Sequence, residues 1–129
     1  MNDMPRRNEF VAYLCDLLAP LGLLRAKAMF GGWGLYCDEL FFAIIIDDVL
    51  YLKADDTTRE RFTGAGQRPF TYAMRGVEQR MDYYTVPAEA LDDLDELRPW
   101  AVLALGAARR KAAATKPRGN KKKAAVRNQ

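Results

Sequence analysis

The 129 residues contain no histidine, so the side chain that most often serves as general base and transition-metal ligand is absent. Three kinds of chemistry remain open: a cysteine nucleophile, a pair of carboxylates, or a carboxylate-bound divalent cation. Cys37 stands at a strand end before Asp38-Glu39, and acidic neighbours raise a thiol pKa, which disfavours the thiolate. Cys15 lies one position from Leu14, inside an apolar helical pattern. Packing is the expected role of both, as reduced thiols, because two cysteines in a chain of this length make no disulfide framework. Asp47-Asp48 and Asp55-Asp56 flank one strand, and several residues at about 3.3 Å each hold the two pairs too far apart for one coordination sphere. Turns and a helix cap account for them. Asp92, Asp93, Asp95 and Glu96 precede a helix, where negative charge suits the positive end of the macrodipole. Gly31-Gly32-Trp33-Gly34 resembles a phosphate loop only superficially, since a β-type run follows it and no Lys-Ser or Lys-Thr is present. Glycines there are expected to let strands bend, or to let an aromatic ring cover bare backbone. The residues therefore point to no catalytic group, cofactor or metal.

The elements that position these residues follow from periodicity. Phe10, Leu14, Leu17, Leu18 and Leu21 form one stripe of an amphipathic helix, with Pro20 and a left-handed Gly22 expected to end it. Ala26–Phe30 and Trp33–Cys37 read as strands about a Gly31-Gly32 turn, and Asp38-Glu39 as a two-residue turn. Leu40–Ile46 is apolar on both alternating faces, which predicts a central strand covered on both sides. Asp47-Asp48 then turns the chain into Val49–Lys53. Thr57 and Glu60 have capping-box spacing before a short helix, Arg59–Thr63. Phe70–Met74 and Gln79–Thr85 form a second hairpin about Arg75-Gly76, with Phe70, Tyr72 and Met74 facing the same way as Met81 and Tyr83. Pro87 begins a short helix through Leu91. Leu97, Trp100, Ala104 and Ala107 mark a last helix, which Pro99 forces either to start near Arg98 or to kink.

The length fits one domain of the common size of roughly 100 to 150 residues. The net charge of +3 conceals a segregation. From Arg109 onward stand nine bases and no acid, namely Arg109, Arg110, Lys111, Lys116, Arg118, Lys121, Lys122, Lys123 and Arg127. Residues 1 to 108 hold eleven bases against all seventeen acids, a balance of −6. An acidic globule, residues 1–111, is thus expected to carry a disordered basic tail, residues 112–129, whose composition lacks the apolar groups that order a backbone. Such a tail can neutralise phosphates without reading sequence, giving weak nonspecific nucleic-acid affinity. No apolar run reaches the ~18 residues of a membrane span, and no signal peptide is recognisable, so a cytoplasmic location away from the membrane is expected.

The run Met29-Phe30-Gly31-Gly32-Trp33-Gly34-Leu35-Tyr36-Cys37-Asp38, followed by Leu40-Phe41-Phe42-Ala43 and Leu50-Tyr51-Leu52-Lys53, resembles the N-terminal domain of the TfoX/Sxy competence regulators. Pro69-Phe70-Thr71-Tyr72, Tyr83-Tyr84-Thr85-Val86-Pro87, and Trp100 with Ala104-Leu105 and Arg109-Arg110 extend the likeness, in order, over roughly residues 8 to 110. The resemblance implies an α+β fold of two layers. In it, an antiparallel sheet of about five or six strands packs with N-terminal and C-terminal helices, similar to the secretion-chaperone class. It also implies a non-enzymatic regulator without a cofactor, acting through protein contact with transcription machinery, the cyclic-AMP receptor protein in particular. Full-length regulators of this kind carry a second, helical domain where this chain has its basic tail, so a stand-alone N-terminal-like domain is expected here.

Two alternatives belong to other classes. Trp33, Tyr36 and Tyr51 could flank a concave face and bind a small molecule. An exposed edge strand, or the run Leu40–Ile46, could instead pair two copies into a homodimer.

Overall fold

Three two-residue connections shape this protein. Asp38-Glu39, Asp47-Asp48 and Arg75-Gly76 all adopt positive φ, between 50° and 79°, the type I′ geometry whose twist matches that of the strands it joins. A short polar side chain tolerates this conformation best when it also bonds locally. Asp38 instead bonds across to the chain entering β1, its carboxylate accepting the Leu23 amide at 2.9 Å. Each turn closes a tight antiparallel hairpin, so the chain meanders through most of one sheet before it crosses over.

The computed structural model describes residues 8–29 and 31–115. Helix α1 (Glu9–Leu18) leads through a 3-10 turn (Ala19–Leu21) into β1 (Leu24–Met29), β2 (Gly32–Cys37), β3 (Leu40–Ile46) and β4 (Val49–Lys53). Helix α2 (Arg59–Gly64) carries the chain to the hairpin of β5 (Pro69–Met74) and β6 (Val77–Tyr84). A second 3-10 turn (Ala88–Leu91) and helix α3 (Leu94–Thr115) finish the described chain. The six strands form a single antiparallel sheet in the order β1-β2-β3-β4-β6-β5. The fold is therefore α+β, as the sequence and its resemblance imply.

The core lies between the helices and one face of the sheet. Paired positions share a face, so the register Trp33↔Ile45, Leu35↔Ala43, Ala43↔Leu52 and Ile45↔Leu50 defines the covered side. Val11, Leu14 and Leu18 from α1, Phe62 from α2, and Leu97, Ala101 and Ala104 from α3 close over it. A bulge at Leu35/Tyr36 shifts the register of β3, leaving Phe42 as the extra residue. As a result both Phe42 and Ala43 join the core, 1% and 0% exposed.

Several sequence expectations change. Leu40–Ile46 is central, but the described helices cover only one of its faces. On the other face Ile44 is still only 1% exposed. Its cross-strand partners are Gly34 and Tyr51, and the side chains of Met29 and Phe41 close over the bare Gly34 backbone. The first strand begins earlier than Ala26, and Phe30 lies outside the described residues. Gly22 is no left-handed cap, since its φ is 157°. Glycine is needed there on two counts, because side chains rarely adopt that φ and a Cβ would stand 2.7 Å from the Cys37 Sγ. The capping box is at Asp55 and Thr58 instead of Thr57 and Glu60. The Asp55 carboxylate accepts the Thr57 and Thr58 amides, and the Thr58 hydroxyl accepts the Asp55 amide at 3.1 Å. Helix α3 starts at Leu94, well before Arg98, because the Asp93 carboxylate accepts the Glu96 amide at 3.0 Å. Pro99 is then internal. It leaves the carbonyl four residues back, on exposed Asp95, to water. The helix also continues through residues 112 to 115, the first part of the expected tail.

Candidate functional site

Strand β4 alternates between the two faces of the sheet. Leu50 and Leu52 enter the core, which sends Tyr51 and Lys53 to the uncovered side. On that side a row of rings and cations crosses the sheet. The Arg25 guanidinium lies 4.3 Å from the centre of the Tyr36 ring. Tyr36 stacks on Phe41 at 5.1 Å, and Phe41 meets Tyr83 at 6.0 Å. The Lys53 ammonium stands 5.2 Å from the Phe41 centroid and 4.7 Å from that of Tyr83, attracted by the ring faces. It also donates to the Tyr83 hydroxyl at 2.7 Å. A second row, Tyr51, Phe70 and Tyr72, runs toward the edge strand β5, with centroid separations of 5.2 and 6.1 Å.

The first row ends at a cleft of about 450 Å³ where β4 stops, bounded by Asp55, Arg59, Asp82 and the last turns of α3. Its arginines are committed to its acids. Arg59 donates to both Asp82 oxygens and, at 2.8 Å, to Asp56. Arg110 grips Asp55 in a two-pronged bond of 2.6 and 3.1 Å. Hydrogen bonds to Asp82 and then Asp56 push the Arg59 pKa up. The bond from Arg110 is the largest influence holding Asp55 below its usual range. Lys53 and Lys111 also line the cleft, and among the described residues neither has a carboxylate partner. Burial lowers the Lys53 pKa most, the Lys111 charge lowers it further, and Asp82 opposes both. Burial likewise pushes the Tyr83 hydroxyl well up.

Asp55 caps α2 and ties its start to α3, so its replacement has a defined pH signature. A carboxylate whose folded pKa is depressed stabilises the fold above its unfolded value of about 3.9, and that stability is lost as pH falls through the folded value. Asp55→Asn is expected to lower the melting temperature at pH 7. The gap to the wild type should shrink below about pH 4 as the wild-type carboxylate protonates. A gap unchanged down to pH 2 in thermal melts would show that the charge of Asp55 is not what matters.

The residues singled out from sequence are dispersed. Trp33 lies on the covered face and packs against the core, while Tyr36 and Tyr51 lie on the opposite face in different rows. The three line no common pocket. Arg109, Arg110 and Lys111 occupy the end of α3 as ordered helical residues, with Arg110 engaged by Asp55. Lys116, Arg118, Lys121, Lys122, Lys123 and Arg127 lie outside the described residues. Cys37 is 2% exposed. Its thiol pKa is raised chiefly by burial and next by Asp38, with Arg109 opposing, so a packing role fits it. Among the described residues no three His, Cys, Asp or Glu side chains gather as a metal would require, and no helix is long and apolar enough to cross a membrane. Sequence reading missed Lys53, Arg59, Asp82 and Tyr83. The local signal for Lys53 was the alternation of β4, but its neighbours come from pairing with β6, thirty residues on.

No curated protein matches the chain. A family model, that of the TfoX N-terminal domain, matches residues 16–108. That span holds the glycine-aromatic run, the ring row and the acidic side of the cleft, and it ends one residue before Arg109. With most of its length covered, the chain belongs to the TfoX N-terminal domain family.

Proposed function

We propose that this protein is a non-enzymatic regulatory domain of the competence-regulator type, acting by direct contact with a component of the transcription machinery. By resemblance that component is the cyclic-AMP receptor protein. The observation that carries the reading is the apolar character of the β5–β6 hairpin. Tyr72, Met74 and Val77 are 38%, 53% and 58% exposed and neighbour one another at its end, and contiguous exposed apolar groups of this kind mark interaction surfaces. The edge makes the same point by contrast. Strand β1 carries Arg25 and Lys27, which discourage pairing, whereas β5 has no charged residue from Pro69 to Met74. The basic residues after Thr115 add nonspecific attraction to nucleic acid near the partner.

The test is direct binding of the full chain to purified cyclic-AMP receptor protein. Tyr72→Lys with Met74→Lys, both at exposed positions, is expected to weaken binding at least tenfold while the fold persists, with only a small fall in melting temperature from the lost Phe70–Tyr72 contact. Absence of binding by the wild-type chain, or equal binding by the double variant, removes the reading.

A further inference from the structure

We propose that the cleft at the end of β4 is a phosphate-binding site in which Lys53 and Lys111 seat one backbone phosphate of a nucleic-acid strand. The acids of the cleft are already satisfied. Asp82 and Asp56 share Arg59, and Asp55 holds Arg110. Four bases line the cleft against three acids, and the excess positive charge falls on the two lysines. Lys53 spends one of its three donors on Tyr83, and the ring faces at close range steady its charge, with the more distant Asp82 adding to them. Two lysines that line one cleft with no carboxylate in salt-bridge contact repel each other, and an oxyanion between them reverses the sign of that interaction. The Lys53 pKa is lowered chiefly by burial and next by the Lys111 charge, with Asp82 opposing, so the two lysines do act on each other.

Charge on the surrounding surface favours a polyanion over an isolated phosphate. On the uncovered face of the sheet the charged residues at strand positions are Arg25, Lys27 and Lys53, all positive, with Arg25 paired to Glu39 of the adjoining turn and the two lysines without a carboxylate in salt-bridge contact among the described residues. They belong to a chain whose residues 1 to 108 are acidic overall. Lys111 lies in the last helical turns before Thr115, and the six bases from Lys116 to Arg127 follow in sequence. The assignment of the phosphate to nucleic acid rests on the nucleic-acid attraction in the proposed function, whereas the site itself does not, and neither depends on the protein partner.

Fluorescence anisotropy with a labelled oligothymidylate, read at several salt concentrations, tests the source of the phosphate. Inorganic pyrophosphate, followed through the NMR signals of the lysine side chains, tests the site alone. Lys111→Ala, at an exposed helical position, and Lys53→Met, which keeps the apolar stem, are each expected to weaken oligothymidylate binding severalfold. Each should also reduce the slope of log affinity against log salt by about one. Lys27→Ala, on the same face but outside the cleft, should do much less. Perturbation of Lys53 by pyrophosphate without oligothymidylate binding keeps the phosphate site and assigns it to a free phosphate compound. Equal losses in all three variants, or no response of Lys53 to either ligand, overturn the proposal.

Discussion

Phe62→Ala is expected to destabilise the protein by about 3–5 kcal/mol, the cost of removing a large aromatic ring from a closed core. Phe62 is 0% exposed and is the buried residue of α2. Its ring stacks on Tyr84 of β6 at 5.6 Å and meets Trp100 of α3 at 5.2 Å. A helix of six residues has too few internal hydrogen bonds to persist alone, so the anchoring of α2 depends on this ring. The loss should reach the cleft as well, because Arg59 begins the same helix and bonds Asp82 on β6. Urea denaturation measures the first effect, and the NMR signal of the Arg59 side chain follows the second. Phe62→Leu should recover a substantial part of the stability by refilling the space. A loss below 1 kcal/mol for the alanine variant, with Arg59 unmoved, would mean that α2 is held by its polar contacts and not by its ring.

The sheet was legible in the sequence because its instructions are local. Asp38-Glu39 and Asp47-Asp48 each separate two strand-like runs by two residues, which leaves a type I′ turn as the simple solution; the turn at Arg75-Gly76 is as tight because β6 begins at Val77, two residues before the expected Gln79. The alternation of Val49–Lys53, with Leu50 and Leu52 in the core, is equally local. What the sequence did not disclose depends on contacts distant along the chain. The pairing of β4 with β6 spans just Leu52↔Tyr84 and Lys53↔Tyr83, yet it brings Tyr83 to Lys53 and sets Asp82 beside Arg59. No periodicity encodes it. The pocket expected at Trp33, Tyr36 and Tyr51 failed on parity. Trp33 pairs with Ile45 toward the helices, whereas Tyr36, three residues on in the same strand, faces the other way and pairs with Phe41. The capping box moved for a related reason, since Asp55 can cap α2 and bind Arg110 at once, and Thr57 is too exposed to do either. Of the two outcomes that Pro99 leaves open for α3, the start near Arg98 is excluded, because the cap at Asp93 starts the helix at Leu94 and carries it through Pro99.

The three glycines around Trp33, so prominent in the resemblance to the family, are expected to differ sharply in what each tolerates. A Cβ added at Gly32 would stand 2.2 Å from the carbonyl oxygen of Ile45, with Ile46 Cδ1 at 2.7 Å. The oxygen belongs to the backbone of β3, beside the Trp33↔Ile45 pair, and cannot withdraw without disturbing the ladder between β2 and β3. Gly32→Ala should therefore cost about 3 kcal/mol, at the upper end for overpacking. Gly31 meets no atom within 4 Å but has a φ of 74°, so Gly31→Ala should cost only the left-handed penalty of about 1 to 2 kcal/mol. Gly34 is intermediate in kind. Its new Cβ would press on Met29 Cε at 2.6 Å and Phe41 Cε1 at 2.9 Å, of which the methionine can swing away and the ring, stacked on Tyr36, cannot do so freely. Gly34→Ala should thus disturb the ring row while leaving strand pairing intact, visible as a change in near-ultraviolet dichroism larger than its loss of stability suggests. If chemical denaturation ranked Gly31→Ala as more damaging than Gly32→Ala, the close approach of β2 to the Ile45 carbonyl would not be what requires glycine at position 32.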